Sequence, residues 1–452
     1  MPPNVGAAAT ATATGVSSAS SAARRVLARS TTLLRDLATP CYLPPTAMGH
    51  TPHLTPDNYA KEPELRARFV DFADLAPALD FVRVKQTAFR TFLRLEDAQL
   101  VLTARDYVNR SNPPVTKAGF AVETCTGRRT VSPREYMEVV RLLQPELVVP
   151  LADEIAASFG DNRQRVAVER SLDWLDACIA HREREPICGV ILGGADERLR
   201  RLSAAETCRR DVQAVLISGL DSCDCAETRG RLIDVVVDEV AASASPAAAV
   251  PRLVSGVGEP LQILDAVSRG VDGFVSTYPA TLTSSGAALA FWVDASADDD
   301  SAERVRERER SGSLLHLREP RFERDFRPLL HGCDCFACRQ YTRAYVHHLL
   351  NVREILGDVL LYLHNLHQYY RFFRVMRREI KAGNFARFAQ TFQERYRAHA
   401  SQAPPLAVPL AIRERQEREE AERAEQRARL AAEKAAKARE RADLMRRGRS
   451  ET

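Results

Sequence analysis

The chain has 452 residues, 45% hydrophobic and 27% charged, which excludes a fibrous, collagen-like or wholly disordered protein. Lys and Arg total 64 against 60 Asp and Glu, and the net charge of +4 is too small for an unspecific polyanion binder. No apolar segment reaches the roughly 20 residues that span a bilayer, so we predict no transmembrane segment.

The N-terminal residues 1–23 are mostly Ala, Ser, Thr and Gly, and we predict that they are disordered because they offer almost no apolar surface to bury. No acidic residue precedes Asp36, whereas Arg24, Arg25, Arg29 and Arg35 do. An Arg-containing, Ser-rich and acid-poor start is typical of mitochondrial transit peptides. We expect a cytoplasmic protein, and a mitochondrial association is the alternative that this start raises.

Short apolar segments alternate with longer amphipathic stretches from Pro40 onward. The candidate strands are Glu146–Leu151, Gly189–Leu192, Ala214–Ile217, Arg252–Ser255 and Gly273–Ser276, and Val166–Glu183 is a representative helix. Strands separated by one helix each are βα units, and their repetition favours a closed parallel α/β barrel within residues 24–330. An open doubly wound sheet has the same periodicity and is the alternative.

A strongly polar run from Asp294 to Ser313 interrupts this pattern, and we predict an exposed insertion or linker at about 294–327. A cysteine cluster and a long helical region follow within residues 331–400. Prolines then introduce a linker and tail at 401–452. The part from Arg413 to Arg449 holds 13 basic and nine acidic residues but few large apolar ones, which predicts a solvated, charged single helix.

The ten cysteines are spread unevenly along the chain. Clustering in a large chain without a secretory signal favours a metal site over a disulfide framework. One pair, Cys223 and Cys225, has neither a third cysteine nor a histidine nearby. We therefore predict that this pair binds no metal.

Three cysteines lie within six residues, at Cys333, Cys335 and Cys338. Three thiolates this close converge on one ion, and a histidine from the following helical region would complete the tetrahedral set of structural zinc sites. Spacing alone does not choose among the candidates, which are His347, His348, His364 and His367. We predict one structural zinc ion, because four protein ligands leave no position for a catalytic water. Three reduced cysteines without metal are the alternative.

Several motifs between residues 38 and 395 follow one another in a recognisable order. They are Thr39–Pro44, His53–Asp57, Thr126–Gly127, Val131–Tyr136, Ala152–Glu154, Cys188–Gly194, Pro251–Gly258 and Arg269–Phe274. Together they resemble the tRNA-guanine transglycosylases, which exchange a guanine at the wobble position of certain tRNAs for queuine or a precursor. The resemblance implies a TIM barrel with a zinc subdomain inserted near its end.

The zinc region resembles the family most closely. Cys333–Cys338, Thr342–His348 and His364–Leu366 are similar to the family's zinc subdomain almost residue for residue. The resemblance selects His364 as the fourth ligand beside the three cysteines. His347 and His348 are then expected to pack or to face solvent.

The chain departs from the family at the positions that carry catalysis. Family catalysts have a nucleophilic aspartate directly after the Phe of a late strand, whereas Phe274 is followed here by Val275, which has no nucleophilic lone pair. The family segment with a second catalytic aspartate has no counterpart in Asp106–Phe120. Leu192 replaces the Gln that precedes the family's base-recognising glycines. We predict that the chain is not an enzyme.

The departures resemble the non-catalytic paralogues of the family, which implies a heterodimer with a catalytic subunit that binds one tRNA. One alternative is an active transglycosylase that uses Asp153 or Asp272. Asp153 follows a strand end, where barrel active sites lie, although a loop or capping role also suits it. Asp272 lies three positions before Val275 and so on the opposite face of a strand. The other alternative is a zinc-containing RNA-binding protein without such a partner.

Two surfaces are candidates for binding. Five basic residues follow His364 and are interleaved with Phe372, Phe373 and Met376, namely Arg371, Arg374, Arg377, Arg378 and Lys381. This pattern predicts a tRNA-contacting face whose apolar side packs on the zinc site, and a salt-bridged solvated face is the alternative. The stretch Tyr341–Phe373 is rich in residue types of interface cores, and the resemblance implies association through the zinc subdomains.

Overall fold

The computed structural model of the protein describes residues 27–400, with gaps at 76–77, 79–87, 105–114, 125–126, 156–158, 221–224, 244–249, 292 and 294–312. The terminal segments 1–23 and 401–452, for which the sequence predicts disorder and a charged helix, lie outside the described residues. Among the described helices, none combines the length and the apolar character that crossing a membrane requires.

Within the described residues, eight parallel strands form the barrel. They are β1 (Cys41–Leu43), β2 (Ala67–Asp71), β3 (Gln99–Thr103), β6 (Leu147–Val148), β7 (Cys188–Ile191), β8 (Ala214–Ile217), β9 (Arg252–Ser255) and β10 (Gly273–Val275). One sheet has the order β1-β10-β9-β8-β7 and the other the order β2-β3-β6. Two parallel bridges, Pro45 with Phe69 and Val148 with Ile187, join the two sheets into a ring. The closed barrel is therefore confirmed, and the open sheet is excluded.

Four of the five predicted strands have bounds within one residue of those in the structure. β8 and β9 have the predicted bounds, β10 ends one residue early, and β7 begins and ends one residue before its predicted bounds. β6 covers two residues, Leu147 and Val148, instead of the predicted Glu146–Leu151. Pro150 explains the early end, because proline has no backbone N–H to donate to a neighbouring strand.

The barrel interior is filled by alternate residues of the strands. This interior cluster is apolar and buried, and it includes Leu43, Phe69, Val101, Leu216, Leu253 and Val275. The other strand residues face the surrounding helices, so both faces of the sheet are covered. Strands buried on both faces are typically near-continuous apolar runs, and β7 (CGVI) and β8 (AVLI) follow this pattern. The interior is thus a packed core and not a channel.

Helices follow most of the strands and form the outer layer. They are α1 (Pro56–Tyr59), α2 (Phe89–Phe92), α3 (Pro133–Leu143), α4 (Asp161–His181), α5 (Glu197–Cys208), α6 (Ala226–Ala242), α7 (Pro260–Ser268) and α8 (Tyr278–Ser284). Sequence sets the start of α3, where Ser132 accepts a hydrogen bond from the backbone of Glu135 and the Glu135 carboxylate accepts one from the backbone of Ser132. Such a capping box satisfies two otherwise unpaired helix N–H groups.

Two antiparallel hairpins extend the barrel. β4 (Phe120–Thr124) pairs with β5 (Gly127–Val131), and β11 (Ala287–Leu289) pairs with β12 (Leu314–His316). Residues 294–312 of the predicted polar insertion lie outside the described residues, and β12 lies in the part of this segment that follows them. Leu315 and Leu317 are fully buried there and pack in the same apolar cluster as the three cysteines.

Four helices complete the described chain: α9 (Phe336–Gln340), α10 (Arg343–Asn351), α11 (Ile355–Lys381) and α12 (Phe385–Ala400). The predicted helical region is interrupted at Arg353, whose φ of 60° is incompatible with a continuous right-handed helix. Phe373 packs on Phe274 of the barrel, with ring centroids 5.6 Å apart, and Phe372 packs on Phe291 at 5.5 Å.

These contacts correct the expectation that the apolar side of the basic face packs on the zinc site. Phe372, Phe373 and Met376 belong to the large cluster on the barrel side, whereas Leu360 and Leu361 lie in the cluster of the cysteines. Helix geometry explains the difference, since a residue eight positions beyond His364 lies about 12 Å further along the helix axis.

Candidate metal centre and barrel mouth

The candidate metal centre is built from one short segment and one long helix. Cys333 and Cys335 lie just before α9, Cys338 lies within it, and His364 lies in the first half of α11. Cys335 is the N-cap of α9, and its Sγ accepts a hydrogen bond of 3.3 Å from the backbone N–H of Cys338. The tight turn at the start of α9 thus brings the three sulfur atoms to one side, facing the imidazole.

The four side chains have the spacing of a tetrahedral zinc site. The Nδ1 atom of His364 lies 3.8, 3.5 and 3.4 Å from the Sγ atoms of Cys333, Cys335 and Cys338. All four ligand atoms lie within 4.8 Å of one another. Zinc–sulfur and zinc–nitrogen bonds of about 2.3 and 2.0 Å at a tetrahedral angle would separate the sulfur and nitrogen atoms by about 3.5 Å. The arrangement therefore suits one metal ion such as Zn²⁺.

Neighbouring groups orient these side chains. The Nε2 atom of the buried His364 lies 2.8 Å from the carbonyl oxygen of Leu289 and donates to it, which leaves the Nδ1 lone pair directed at the sulfur atoms. Gln368 donates a hydrogen bond of 3.0 Å to the Sγ of Cys333. Hydrogen bonds among the three thiols lower the pKa of Cys333 and raise the pKa of Cys335, because these groups share their protons.

The remaining described cysteines have no comparable arrangement. Among the residues that the structure describes, the Cys3His set is the one group of metal-ligand side chains with suitable spacing. Cys225 is exposed, and Cys223 lies outside the described residues. Burial raises the pKa of the Cys41 and Cys178 thiols to about 12. These buried thiols stay protonated near neutral pH and act as small apolar residues.

The other candidate histidines lie away from the sulfur atoms. His347 is buried and its Nδ1 lies 2.7 Å from the carbonyl oxygen of Leu317, while His348 is exposed. His367 lies between two carboxylates, with Nδ1 3.0 Å from Glu62 and Nε2 2.9 Å from Asp334. These three histidines thus have other partners or face solvent.

The barrel mouth, at the carboxyl ends of the strands, is where the resemblance places the chemistry. Val275 ends β10 and is fully buried, in register with Leu43 on one side and Ser255 on the other. Leu192, which follows β7, is also buried. The position to which the resemblance assigns the family nucleophile therefore holds an isopropyl group in a packed apolar interior. Residues 105–114, which include most of the segment without a family counterpart, lie outside the described residues.

The carboxylate of Asp153 lies beyond the end of β6 and is bound by two arginines of α4. Arg163 donates two hydrogen bonds to it, Nη1 to Oδ2 at 2.8 Å and Nη2 to Oδ1 at 2.7 Å, and Arg170 also donates to Oδ2. The adjacent Glu154 accepts a hydrogen bond of 3.0 Å from the backbone of Gly219, beyond the end of β8. Both carboxylates thus make internal contacts at the barrel mouth.

The second candidate carboxylate lies at the opposite end of the barrel. Asp272 directly precedes β10 and is fully buried. Its Oδ1 accepts a hydrogen bond of 2.9 Å from Nε of Arg29, and its Oδ2 accepts one of 2.8 Å from the backbone of Arg252. Active sites of such barrels lie at the carboxyl ends of the strands, so Asp272 is a structural residue.

Arg200 is a residue of the mouth that the sequence does not reveal. It is fully buried, and its Nε donates to the carbonyl of Gly194 at 2.8 Å while Nη1 and Nη2 donate to that of Ser218 at 3.2 Å. It therefore ties the loop after β7 to the end of β8. An arginine in an amphipathic helix usually lies on the solvent face, so the sequence around Arg200 gives no sign of this role.

The five basic residues of the predicted tRNA face differ in their surroundings. Arg374 and Arg377 both bind the carboxylate of Glu64, and Arg377 also donates to the carbonyl of Pro40 at 3.0 Å. Arg378 has a side chain 58% exposed beside Glu379, Lys381 is exposed, and Arg371 is half-buried. Arg377 therefore joins α11 to the segment before β2, and the exposed charge lies towards the end of the helix.

A group of exposed apolar residues, here called the apolar patch, lies around α10 and at the start of α11. Its members are exposed large side chains, namely Phe326, Tyr345, Val352, Ile355 and Leu356. Phe326 and Ile355 are 77% and 78% exposed. Backbone hydrogen bonds from Arg343 and Ala344 hold the segment around Phe326 against the start of α10. A group of exposed apolar residues of this kind is characteristic of protein interaction sites.

Sequence comparison finds similar proteins over most of the chain. The family described as queuine tRNA-ribosyltransferase matches residues 21–398. Queuine tRNA-ribosyltransferase accessory subunit 2 of Gallus gallus is 32% identical over 380 residues, which cover 75% of this chain and 87% of the relative. The proteins of that name from Xenopus tropicalis and Danio rerio are 30% and 31% identical, and both alignments cover 80% of this chain and 93% of the relative.

Proposed function

Because the chain belongs to the queuine tRNA-ribosyltransferase family, we propose that it is the non-catalytic subunit of a heterodimeric queuine tRNA-ribosyltransferase. In this role it binds the catalytic subunit of that enzyme and tRNA, and it supports the exchange of guanine for queuine at the wobble position. The name of the similar proteins, accessory subunit 2, supports the assignment. We propose a cytoplasmic location, with a mitochondrial association as the alternative.

The observation that carries the proposal is the buried Val275 at the end of β10. A valine side chain cannot attack a ribose carbon or hold a covalent RNA intermediate. The alternative of an active enzyme would need another carboxylate at the barrel mouth. Asp153 is bound by two arginines, and Asp272 lies at the opposite end of the barrel. Neither is free to act as a nucleophile.

We assign one structural Zn²⁺ to Cys333, Cys335, Cys338 and His364. The spacing of the four ligand atoms supports this assignment, as does the orientation of His364 by the carbonyl of Leu289. Four protein ligands leave no coordination site for water or substrate, so the ion would hold α9 against α11. Its binding free energy would then contribute to folding of this subdomain.

The apolar patch is the surface that we assign to the catalytic subunit. Most of its members lie on α10, directly after it or at the start of α11, the helix that also carries His364. Tyr345, His348 and Val352 lie at spacings of three and four residues and therefore on one face of α10. The exposed Ile355 and Phe326 extend the patch. Burying these side chains against a partner would remove apolar surface from water, which drives association.

We assign tRNA binding to the basic face of α11, formed by Arg371, Arg374, Arg377, Arg378 and Lys381. The exposure of Arg378 and Lys381 supports direct contact with phosphate groups. Arg377 is mostly covered and bound to Pro40 and Glu64, so its role is to hold the face in place. Two of the five residues therefore dominate the expected electrostatic contribution.

Native mass measurement after co-expression with a catalytic family member tests the assignment. We expect a 1:1 complex, and we expect Val352→Asp with Ile355→Asp to abolish it because charges on a buried apolar interface are costly. Leu202→Asp is the matched control, since Leu202 is a similarly exposed apolar residue on α5. This control should form the complex normally.

Three outcomes would contradict the proposal. Homodimers alone in the presence of the catalytic protein would exclude the accessory role. Guanine exchange by the isolated chain would favour the active enzyme. Retention of tRNA binding without any association with a catalytic family member would favour a zinc-containing RNA-binding protein.

A further inference from the structure

Arg163 binds the carboxylate of Asp153 with two parallel hydrogen bonds, as a bound ligand with two N–H donors would. The Asp153 side chain is almost completely buried, whereas that of Arg163 is 33% exposed. Two parallel N–H groups of the guanidinium meet the two carboxylate oxygens at 2.7 and 2.8 Å. Arg163 thus lies between the carboxylate and solvent, and its removal would open Asp153 to a ligand at the barrel mouth.

A planar group with two parallel N–H donors is also what guanine offers. Its N1–H and one hydrogen of its 2-amino group form the same fork as the guanidinium of arginine, which binds carboxylates bidentately. A carboxylate has about four acceptor positions, so Oδ2 of Asp153 accepts from Arg163 and from Arg170 at once. The geometry at Asp153 therefore suits either the arginine or a guanine-like edge, and not both together.

We propose that Arg163 is an internal ligand that occupies Asp153 and keeps the barrel mouth from taking a planar base with two N–H donors. It acts as an autoinhibitory contact built into the first turn of α4. This role rests on the proposed function. In the proposed heterodimer, the base would then bind in the catalytic subunit only. Queuine and guanine would then compete for a single site and would not be sequestered by this chain.

Arg170 and Ser171 have a different role in this arrangement. Arg170 binds Oδ2 from deeper in α4, with a side chain 19% exposed, and Ser171 accepts a hydrogen bond of 2.9 Å from the backbone of Asp153. Both contacts would hold the carboxylate in place after loss of Arg163. One carboxylate and one remaining guanidinium also carry no net charge, which suits a neutral base.

The test is the variant Arg163→Ala in the otherwise intact chain, with guanine binding followed by saturation-transfer NMR and calorimetry. We expect no binding by the unchanged protein and clear binding by the variant. Hypoxanthine lacks the 2-amino donor and should bind about tenfold to 100-fold more weakly, because one hydrogen bond to a charged group is lost. Asp153→Asn added to the variant should abolish binding of guanine.

Arg165→Ala is the matched control, because Arg165 lies on the same helix and binds Glu169 at the surface. It should leave the protein without guanine affinity. Arg163→Gln provides a second neutral variant in case Arg163→Ala does not fold. If a folded variant of Arg163 binds no guanine, or if the unchanged protein binds it equally well, the inference is wrong.

The proposed function is tested separately from this inference. Arg163 lies outside the apolar patch, so both Arg163 variants should still form the 1:1 complex in native mass measurements. Absence of guanine binding in folded Arg163 variants that still form the complex would overturn the internal-ligand role alone. Absence of the complex in every variant, including the unchanged chain, would overturn the accessory assignment and leave the result at Asp153 standing.

Discussion

Glu62 and His367, which are 305 positions apart in the chain, share a hydrogen bond of 3.0 Å between Oε2 and Nδ1. The other ring nitrogen of His367 lies 2.9 Å from Oδ1 of Asp334, which stands between two of the metal-site cysteines. Lys61 lies over the ring of Phe336 at 4.3 Å. The segment before β2 therefore holds the metal loop against the barrel.

Glu62→Gln should weaken this connection, because it removes the buried charge and retains the shape. Hydrogen bonds to charged groups contribute about 1.5–3 kcal/mol, so we expect a lower melting temperature and faster transfer of zinc to a chelator. A colorimetric chelator assay measures the transfer. Glu138→Gln, a change on the surface of α3, is the control and should transfer zinc at the rate of the unchanged protein. Equal rates for both variants would exclude the connection.

Cys335→Ala should remove zinc from the protein and destabilise the subdomain of α9 to α11. Three remaining ligands bind the ion far more weakly, and the binding free energy that supports folding is lost. Elemental analysis of freshly purified protein gives the zinc content, which we expect to be one ion per unchanged chain. Cys225→Ala, which changes an exposed cysteine outside the centre, should retain full occupancy. Full occupancy in Cys335→Ala would contradict the ligand assignment.

The isolated chain should exchange no labelled guanine into tRNA, and activity should appear when a catalytic family member is added. Val275→Asp should not create activity, because the new carboxylate would be buried without a partner in the barrel interior and would destabilise the fold by several kcal/mol. Thermal unfolding and the exchange assay measure both effects. Turnover or a trapped covalent RNA adduct with the unchanged chain alone would contradict this expectation.

Arg378→Glu with Lys381→Glu should lower tRNA affinity in a salt-dependent way and leave subunit pairing intact. Each lost phosphate contact reduces the slope of log affinity against log salt by about 0.7–0.9. Binding titrations at several salt concentrations measure this slope. Arg165→Glu reverses one charge on α4 instead of two and should have less than half of this effect. An unchanged affinity at low salt would show that the face is only solvated.

The carboxylate of Asp325 should make the stability of the protein depend on pH in acid. Burial opposes its charged form, but hydrogen bonds from Arg327 and the nearby Arg343 lower its pKa from 3.8 to about 2. A lowered pKa contributes stability that is complete above the ordinary value and is lost as pH falls through the folded one. Unfolding curves between pH 5 and pH 2 should therefore show a smaller loss of stability for Asp325→Asn than for the unchanged protein. Parallel curves would exclude the effect.

Some parts of this structure follow from sequence and others do not. The regular spacing of apolar segments predicts the parallel barrel, and three cysteines within six residues predict a metal centre. Spacing does not identify His364, because the register between α9 and α11 is set by tertiary packing. Likewise, Arg163 and Arg200 have the pattern of exposed helix residues, and only folding brings them to the barrel mouth.

Helix α11 extends for 27 residues from Ile355 to Lys381, a rod of about 40 Å. The surface assigned to the catalytic subunit is at one end and the exposed cations are at the other. The distance and the angle between them are therefore fixed by helical pitch. One residue inserted between these ends would displace the cations by about 1.5 Å and rotate them by about 100°. The length of α11 thus determines where a bound RNA would lie relative to the partner subunit.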